Sequence, residues 1–130
     1  MGLTLRAHSG DISICLLKPE APAPADILSK PMTYFMRTHD EVTLICPTAL
    51  APRDAVKTED GWMAIEFFGP FDFGVTGILV QVAEPLAKAG VPIVALSTFG
   101  TDYILIKHEK RVVAFDTLRK AGHIIDAAQS

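Results

Sequence analysis

The sequence predicts an α+β fold of the ferredoxin-like class, built from two similar halves. In residues 61–130, apolar runs and helical spacing alternate in the order strand, helix, strand, strand, helix, strand, which is the split βαβ order of ferredoxin-like folds. A predicted hairpin over residues 33–46 resembles a second one over residues 94–107, as expected for an internal repeat. We therefore expect two βαββαβ units packed together, a degenerate one over residues 1–60 and a complete one over residues 61–130.

The second half opens with a predicted strand over residues 62–68, followed by a helix. Thr76 is the candidate N-cap and Gly90 the candidate C′ residue of that helix. Its apolar residues recur at helical spacing: Ile78, Leu79, Val82, Ala83, Leu86 and Ala87. Because Pro85 removes the hydrogen bond to the carbonyl of residue 81, we expect a kink there or a helix in two pieces.

A strand over residues 91–99 then turns at Gly100 and returns as an antiparallel strand over residues 103–107. A second helix is indicated by three apolar residues at helical spacing and ends at Gly122; these residues are Val112, Phe115 and Leu118. A short strand over residues 123–126 completes the second half.

The first half is the less regular one. A strand around Leu5 is expected to form a hairpin, through a turn at residues 9–11, with a strand over residues 12–17. The proline-rich segment after it leaves room only for a short helix over residues 26–30. Residues 47–57 are the place for a second helix, which Pro52 restricts.

The two predicted hairpins align with each other at their turns. Thr38 lies opposite Thr98, and Glu41 lies opposite Asp102 after a gap of one residue.

Composition excludes several classes of function. With 49% hydrophobic and 21% charged residues the chain has the composition of a folded globular protein. A net charge of −3 without any run of Lys or Arg argues against nucleic acid and anionic lipid as partners. The apolar runs are too short for a membrane span, and no signal peptide is indicated. The cysteines Cys15 and Cys46 lie in apolar strands, which favours buried thiols in a cytoplasmic protein.

The glycine-rich turn over residues 69–78 is the first candidate for ligand binding. Gly74 and Gly77 permit positive φ and a close approach to the main chain, and the helix that follows presents amides suited to a carboxylate. The alternative is that these glycines only shape a turn between strand and helix. The spacing matches neither GxGxxG nor a Walker loop, so it gives little support to nucleotide binding.

The hairpin that follows supplies an acid. Asp102, beside Thr98 and Thr101, is suited to holding an ammonium or guanidinium group while the glycine turn holds the opposite end of a zwitterion. The alternative is a turn aspartate that hydrogen-bonds its own backbone, and the same two interpretations apply to Asp72.

Four phenylalanines lie near the same two segments: Phe68, Phe71, Phe73 and Phe99. Most are expected in the core, with one or two lining a pocket or a subunit interface.

The sequence offers little for catalysis. The histidines are spread over separate elements without metal-ligand spacing, namely His8, His39, His108 and His123. No serine lies in a nucleophile elbow, and neither cysteine has a neighbouring group that would lower its pKa. The chain contains no asparagine at all. An enzyme acting through Asp102 with His39 or His108 remains the alternative from this class.

Two motifs of the second half resemble the ACT domain. They are Gly69-Pro-Phe-Asp-Phe-Gly-Val-Thr-Gly-Ile78 and the segment from Gly90 to Ile106 that contains Ser97-Thr-Phe-Gly-Thr-Asp102. The segment Tyr34-Phe-Met-Arg-Thr-His-Asp-Glu-Val-Thr-Leu-Ile-Cys-Pro47 resembles the leading repeat of the tandem-ACT group. That group is related to the regulatory domains of aspartate kinases and to eukaryotic cytosolic arginine sensors.

The resemblance implies a non-enzymatic regulatory module that binds an amino acid between ACT units and forms a homodimer, with no cofactor or metal. The site residues it implies are Asp72, Phe73, Gly74, Val75, Thr76, Gly77, Ile78, Thr98, Phe99, Gly100, Thr101 and Asp102. The alternative is a structural or protein-interaction ACT module whose pocket is degenerate.

Overall fold

The computed structural model describes residues 2–68 and 77–127. Within these ranges the chain forms strands β1 Thr4–Ala7, β2 Ile12–Leu17, β3 Tyr34–Arg37, β4 Val42–Pro47, β5 Lys57–Phe67, β6 Val94–Ser97, β7 Asp102–Lys107 and β8 Ile124–Ala127. The helices are α1 Ala25–Leu28, α2 Ile78–Lys88 and α3 Arg111–Lys120, with 3-10 turns at Thr48–Leu50 and His108–Lys110. The α+β class and the ferredoxin-like arrangement are confirmed.

The chain divides into two compact units. The host unit comprises Met1–Gly10 with Met63–Ser130, and the inserted unit comprises Asp11–Trp62. The first ten residues therefore group with the second half of the chain, whereas the expected ranges were 1–60 and 61–130. The reason is strand pairing, because β1 hydrogen-bonds to the second half of β5 and to β8. That the two ranges are ACT-like repeats stays a prediction.

The host unit has the predicted order of elements from β5 to β8. Its strands pair in the order β8, β1, β5, β7, β6. In a ferredoxin-like sheet the fourth strand lies antiparallel to the first, but here β1 takes that position, with Leu5 opposite Phe67. The strand β8 pairs with β1 in parallel, with Thr4 opposite Ile124.

The inserted unit repeats the same plan with smaller helices. Its strands pair in the order β3, β4, β2 and the first half of β5. The helix α1 has four residues, and β4 is followed by the 3-10 turn Thr48–Leu50 in place of a second helix. Pro52 follows directly in this segment, and a proline there leaves no backbone N–H to continue a helix.

The predicted hairpin between the first two strands is wrong. The strand β2 pairs with β4 and with the first half of β5, and β1 pairs with the second half of β5 and with β8. The segment from Ser9 to Asp11 connects β1 and β2, which each pair with other strands. Turn residues are a short-range signal and carry no information on such long-range pairing.

The core of the host unit lies between its sheet and the helices α2 and α3. Large side chains from strands and helices are fully buried there: Leu5, Ile65, Phe67, Val82, Leu86, Ile104, Ile106 and Leu118. Burying one such side chain contributes about 1.5–3 kcal/mol. The apolar spacing in α2 is thus explained, since Val82 and Leu86 stand one turn apart on the buried face.

Helix α2 continues through Pro85 as one helix, so the expected division into two pieces is wrong. The carbonyl of Gln81, which Pro85 leaves without its helical donor, accepts a hydrogen bond from Nε2 of the buried His123 at 2.8 Å. The other ring nitrogen, Nδ1, accepts from the backbone N–H of Leu3 at 3.0 Å. The side chain of His123 therefore replaces the missing donor and ties α2 to the N-terminal strand.

Candidate functional site

The predicted site residues divide into two groups. Asp72, Phe73, Gly74, Val75 and Thr76 lie outside the described residues, together with the rest of the turn over residues 69–76. Gly77 and Ile78 open α2, and the hairpin residues Thr98, Phe99, Gly100, Thr101 and Asp102 connect β6 with β7.

Gly77 occupies the N-cap position of α2, one residue later than the predicted cap at Thr76. Its φ of 80° lies in the left-handed region, where a residue with a side chain is strained. Among the described residues, its two chain neighbours left aside, no atom lies within 4 Å of the point where a Cβ would be. Toward those residues the main chain of Gly77 is open on that side, as a close approach by a ligand requires.

The hairpin turn is closed by its own hydrogen bonds. Thr98 N donates to Thr101 O at 2.9 Å, and Thr101 N donates to Thr98 Oγ1 at 3.3 Å. Asp102 is half-buried and one of its oxygens, Oδ1, accepts from Ser97 Oγ at 2.6 Å. The carboxylate thus takes part in the hairpin through its contact with the side chain of Ser97.

Thr101 connects this hairpin with the strand that precedes the glycine-rich turn. Its hydroxyl donates to the carbonyl of Phe67, the last residue of β5. Since the strands β5 and β7 also pair, the end of β5 and the start of β7 lie side by side. Two of the segments singled out in the sequence therefore begin at neighbouring points of the host unit.

Two of the four phenylalanines near the candidate site are exposed. Phe99, at the tip of the hairpin, is 85% exposed, and Phe68 is 49% exposed. The guanidinium of Arg6 lies over the Phe68 ring, 4.7 Å from its centroid, which is within the range of a cation–π contact. Phe71 and Phe73 lie outside the described residues, so the expectation that most of the four rings are buried, with one or two at a pocket or an interface, stays a prediction.

A half-buried polar cluster beside β5 was missed in the sequence. His8 Nε2 donates to Glu66 Oε1 at 2.9 Å, and Arg6 is the cross-strand neighbour of Glu66. Burial, and next the charge of Glu66, raise the pKa of Tyr103. The alternation of Arg6 and His8 along β1 was the only signal, and without the register against β5 it does not point to Glu66.

The structure supplies no support for metal or thiol chemistry in the part of the chain that it describes. There, no group of three or more His, Cys, Asp or Glu residues is arranged to hold a metal ion. Cys15 and Cys46 are free and fully buried, as predicted. Burial and the neighbouring Cys15 raise the pKa of the Cys46 thiol to about 11, which keeps it in the unreactive neutral form.

No helix among the described residues is both long and apolar enough to cross a membrane.

Comparison with known proteins places part of the chain in a family. Residues 57–120 match the ACT domain model. None of the curated proteins matches the sequence. Among solved structures, protein Atu0741 of Agrobacterium tumefaciens is 29% identical, with a TM-score of 0.90 over 100% of this chain and 96% of that one.

Two more distant structures share the fold. The ligand-free regulatory subunit of aspartate kinase from Thermus thermophilus is 10% identical, with a TM-score of 0.65 over 94% of this chain and 99% of that chain. Aspartate kinase from Synechocystis is 16% identical, with a TM-score of 0.68 over 99% of this chain and 28% of the enzyme. The chain therefore contains an ACT domain, over residues 57–120, and shares the fold of aspartate kinase regulatory subunits.

Proposed function

We propose that this protein is a non-enzymatic regulatory module that binds an amino acid at the strand-to-helix turn of the host unit. The ligand carboxylate would lie against the main chain of residues 72–78, and the hairpin over residues 98–102 would hold its ammonium group through Asp102. The location between ACT units, which the resemblance implies, stays a prediction.

The hydrogen bond from Thr101 to Phe67 carries the proposal. It joins the hairpin that carries Asp102 to the strand that precedes the glycine-rich turn. A carboxylate that favours a cation therefore lies near the segment that leads to a helix N-terminus, which favours an anion. The open main chain at Gly77, with its φ of 80°, supports it independently. Helix N-termini favour negative charge, and a half-buried carboxylate such as Asp102 favours a cation.

The regulatory effect would be a shift of population. An amino acid that contacts one arrangement of the protein better than another favours that arrangement by its difference in affinity. We propose a cytoplasmic homodimer as the working form. Light scattering coupled to size-exclusion chromatography measures its mass, and a monomer at micromolar concentration would contradict this part.

The direct test is thermal unfolding in the presence of each of the twenty amino acids, followed by calorimetry on any that stabilises. A ligand at about 100 times its Kd adds about 2.7 kcal/mol to the free energy of unfolding, which raises the melting temperature by several degrees. No shift with any amino acid would favour the alternative, an interaction module that uses the exposed Phe99.

Matched variants locate the site. Gly77→Ala should abolish binding, because it puts a methyl group where the ligand approaches. Gly90→Ala is its control, since Gly90 has nearly the same φ of 76° and the same open space at the other end of α2. Both lose about 1 kcal/mol of stability from strain. Equal loss of binding in both would place the ligand elsewhere.

The acid is tested in the same way. Asp102→Asn keeps an acceptor for Ser97 but removes the charge, and we expect at least a tenfold weaker affinity. Asp116→Asn removes an exposed charge of the same unit, which pairs with Lys120 in α3, and should leave affinity unchanged.

A further inference from the structure

The inserted unit contains a cleft of about 420 Å³ that the sequence did not indicate. Its lining includes the apolar residues Leu17, Ala21 and Ile27 and three exposed charged residues, Lys18, Glu20 and Asp54. The volume lies in the lower part of the range of about 300–1,000 Å³ that small-molecule pockets occupy. All of these residues belong to one unit, so the cleft is complete within it.

The cleft exists because the inserted unit lacks a second helix. In the host unit the 3-10 turn after β7 leads directly into α3, whose Leu118 is fully buried. In the inserted unit the corresponding 3-10 turn leads into an irregular segment that places Pro52 and Asp54 at the cleft. A shorter covering segment leaves apolar surface of β2 and α1 open to a small molecule.

The walls are held in place before any ligand arrives. Ala21 N donates to Lys18 O at 3.0 Å, and Arg37 of β3 donates to the carbonyls of Pro19 and Ala21. On the opposite wall Ala55 N donates to Pro52 O at 3.4 Å. Prolines in both walls further restrict the backbone. A preformed pocket loses less conformational entropy on binding than one that must be ordered.

The charges of the lining select the kind of ligand. Two of its charged residues are acids, Glu20 and Asp54, and one is a base, Lys18, so the cleft favours a cation over an anion. The apolar residues of the lining offer contacts to a small aliphatic group. We propose that this cleft is a second ligand site, specific for small molecules that join an aliphatic group to an ammonium group.

The test is a titration of the full-length, ¹⁵N-labelled protein followed by two-dimensional NMR. The probes are 3-methylbutylammonium and two molecules of the same shape, the neutral 3-methylbutanol and the anionic 3-methylbutanoate. We expect saturable shifts of the amides of Lys18, Ala21, Ile27 and Asp54 with the ammonium, weaker binding of the alcohol and the weakest binding of the carboxylate. The absence of saturable shifts at these amides, or preference for the anion, overturns the proposal.

Two variants sharpen the result. Asp54→Asn should weaken the ammonium about threefold to fivefold, because one exposed charge pair contributes no more than that, and should leave the alcohol unchanged. Asp40→Asn, an exposed acid of the same unit outside the cleft, is the control. Ile27→Trp fills the cleft and should remove the binding of all three probes. If that variant does not fold, the charge selectivity of Asp54→Asn alone decides.

This proposal and the amino-acid site of the host unit can fail separately. Binding in the cleft shifts amides near residues 17–27 and 52–55, whereas binding at the proposed amino-acid site shifts those of Gly77 and residues 98–102. Gly77→Ala should leave the affinity of 3-methylbutylammonium unchanged, and a loss of that affinity would show that the probe occupies the host-unit site instead.

Discussion

The host unit and the inserted unit share their hairpin turns and, apart from β1 between β8 and β5 of the host sheet, their strand order, but they differ in what covers the sheet. Thr38 N donates to Glu41 O at 2.9 Å and Glu41 N to Thr38 Oγ1 at 3.1 Å, and the corresponding bonds between Thr98 and Thr101 are 2.9 and 3.3 Å long. Over the sheet, however, the host unit has helices of 11 and 10 residues, and the inserted unit one of four.

The two units therefore show that turn chemistry and strand order do not depend on the size of the core. One core cluster of the inserted unit consists of Cys15, Leu17, Val42, Leu44 and Cys46, with partly buried residues such as Leu28 packed on it. The host core contains Phe67, Leu86 and Leu118, all fully buried. Since free energy follows the apolar area removed from water, the host unit should carry most of the stability.

The largest effect on the free energy of unfolding is expected when one leucine from a helix of each unit is replaced. Leu118→Ala removes a fully buried side chain and should lower the free energy of unfolding by about 3 kcal/mol. Leu28→Ala removes a half-buried one from α1 and should cost about 1 kcal/mol. Urea unfolding monitored by circular dichroism measures both, and equal losses would show that the inserted unit is as tightly packed as the host.

Sequence reasoning found the features that depend on local chemistry. It located the helices α2 and α3, the C′ glycine at residue 90 and both hairpins, because apolar spacing and turn residues are local signals. It misjudged the alignment of the hairpins, for Arg37 pairs with Val42 as Ser97 pairs with Asp102, without any gap. Glu41 therefore corresponds to Thr101, and the inserted unit has Val42 where the host has Asp102.

What the sequence could not predict depends on pairing between distant segments. Because β1 lies beside β5, Arg6 and His8 lie close to Glu66. Glu66 follows them by about sixty residues in the chain. The cleft of the inserted unit arises from the absence of a helix, and a missing element leaves no periodic signal. The sequence predicted the two segments of the candidate site but not their contact. That contact is the hydrogen bond from Thr101 to Phe67, which joins residues far apart in the chain.

The second prediction concerns the proline of the host helix. His123→Ala leaves the carbonyl of Gln81 and the N–H of Leu3 without their partner, and should cost about 2 kcal/mol, part of it from the lost packing of a buried ring. In the background of Pro85→Ala the loss should be smaller, because residue 85 then donates to Gln81 O within the helix. A double-mutant cycle by urea unfolding measures the difference, and fully additive effects would contradict the exchange of donors.

The third prediction is a contribution of the inserted unit, where both cysteines lie, to the dependence of stability on alkaline pH. The pKa of the Cys46 thiol is raised from 9.0 to about 11 in the folded protein. Since the unfolded chain loses this proton first, the contribution is complete below pH 9 and is lost as the pH rises toward 11. We expect a loss of about 1 kcal/mol between pH 8 and pH 10.

The measurement is urea unfolding across that pH interval, with Cys46→Ala as the control. The variant should show a flatter profile, because it has no thiol at this position to ionise. If the free energy of unfolding of the native protein falls no further than that of the variant, the Cys46 thiol has the same pKa in the folded and the unfolded chain.

The smallest expected effect tests whether the two hairpin turns are equivalent in energy as well as in geometry. Thr38→Val and Thr98→Val each remove the hydroxyl that accepts from the amide three residues later. Because both turns are exposed, water replaces the lost acceptor and each variant should cost only about 0.5–1 kcal/mol. Thermal unfolding of both variants under identical conditions gives the comparison. Suppose that Thr98→Val lowers the free energy of unfolding clearly less than Thr38→Val does, and that an amino acid stabilises the native protein. The Thr98 hydroxyl would then serve ligand binding and not the stability of the fold.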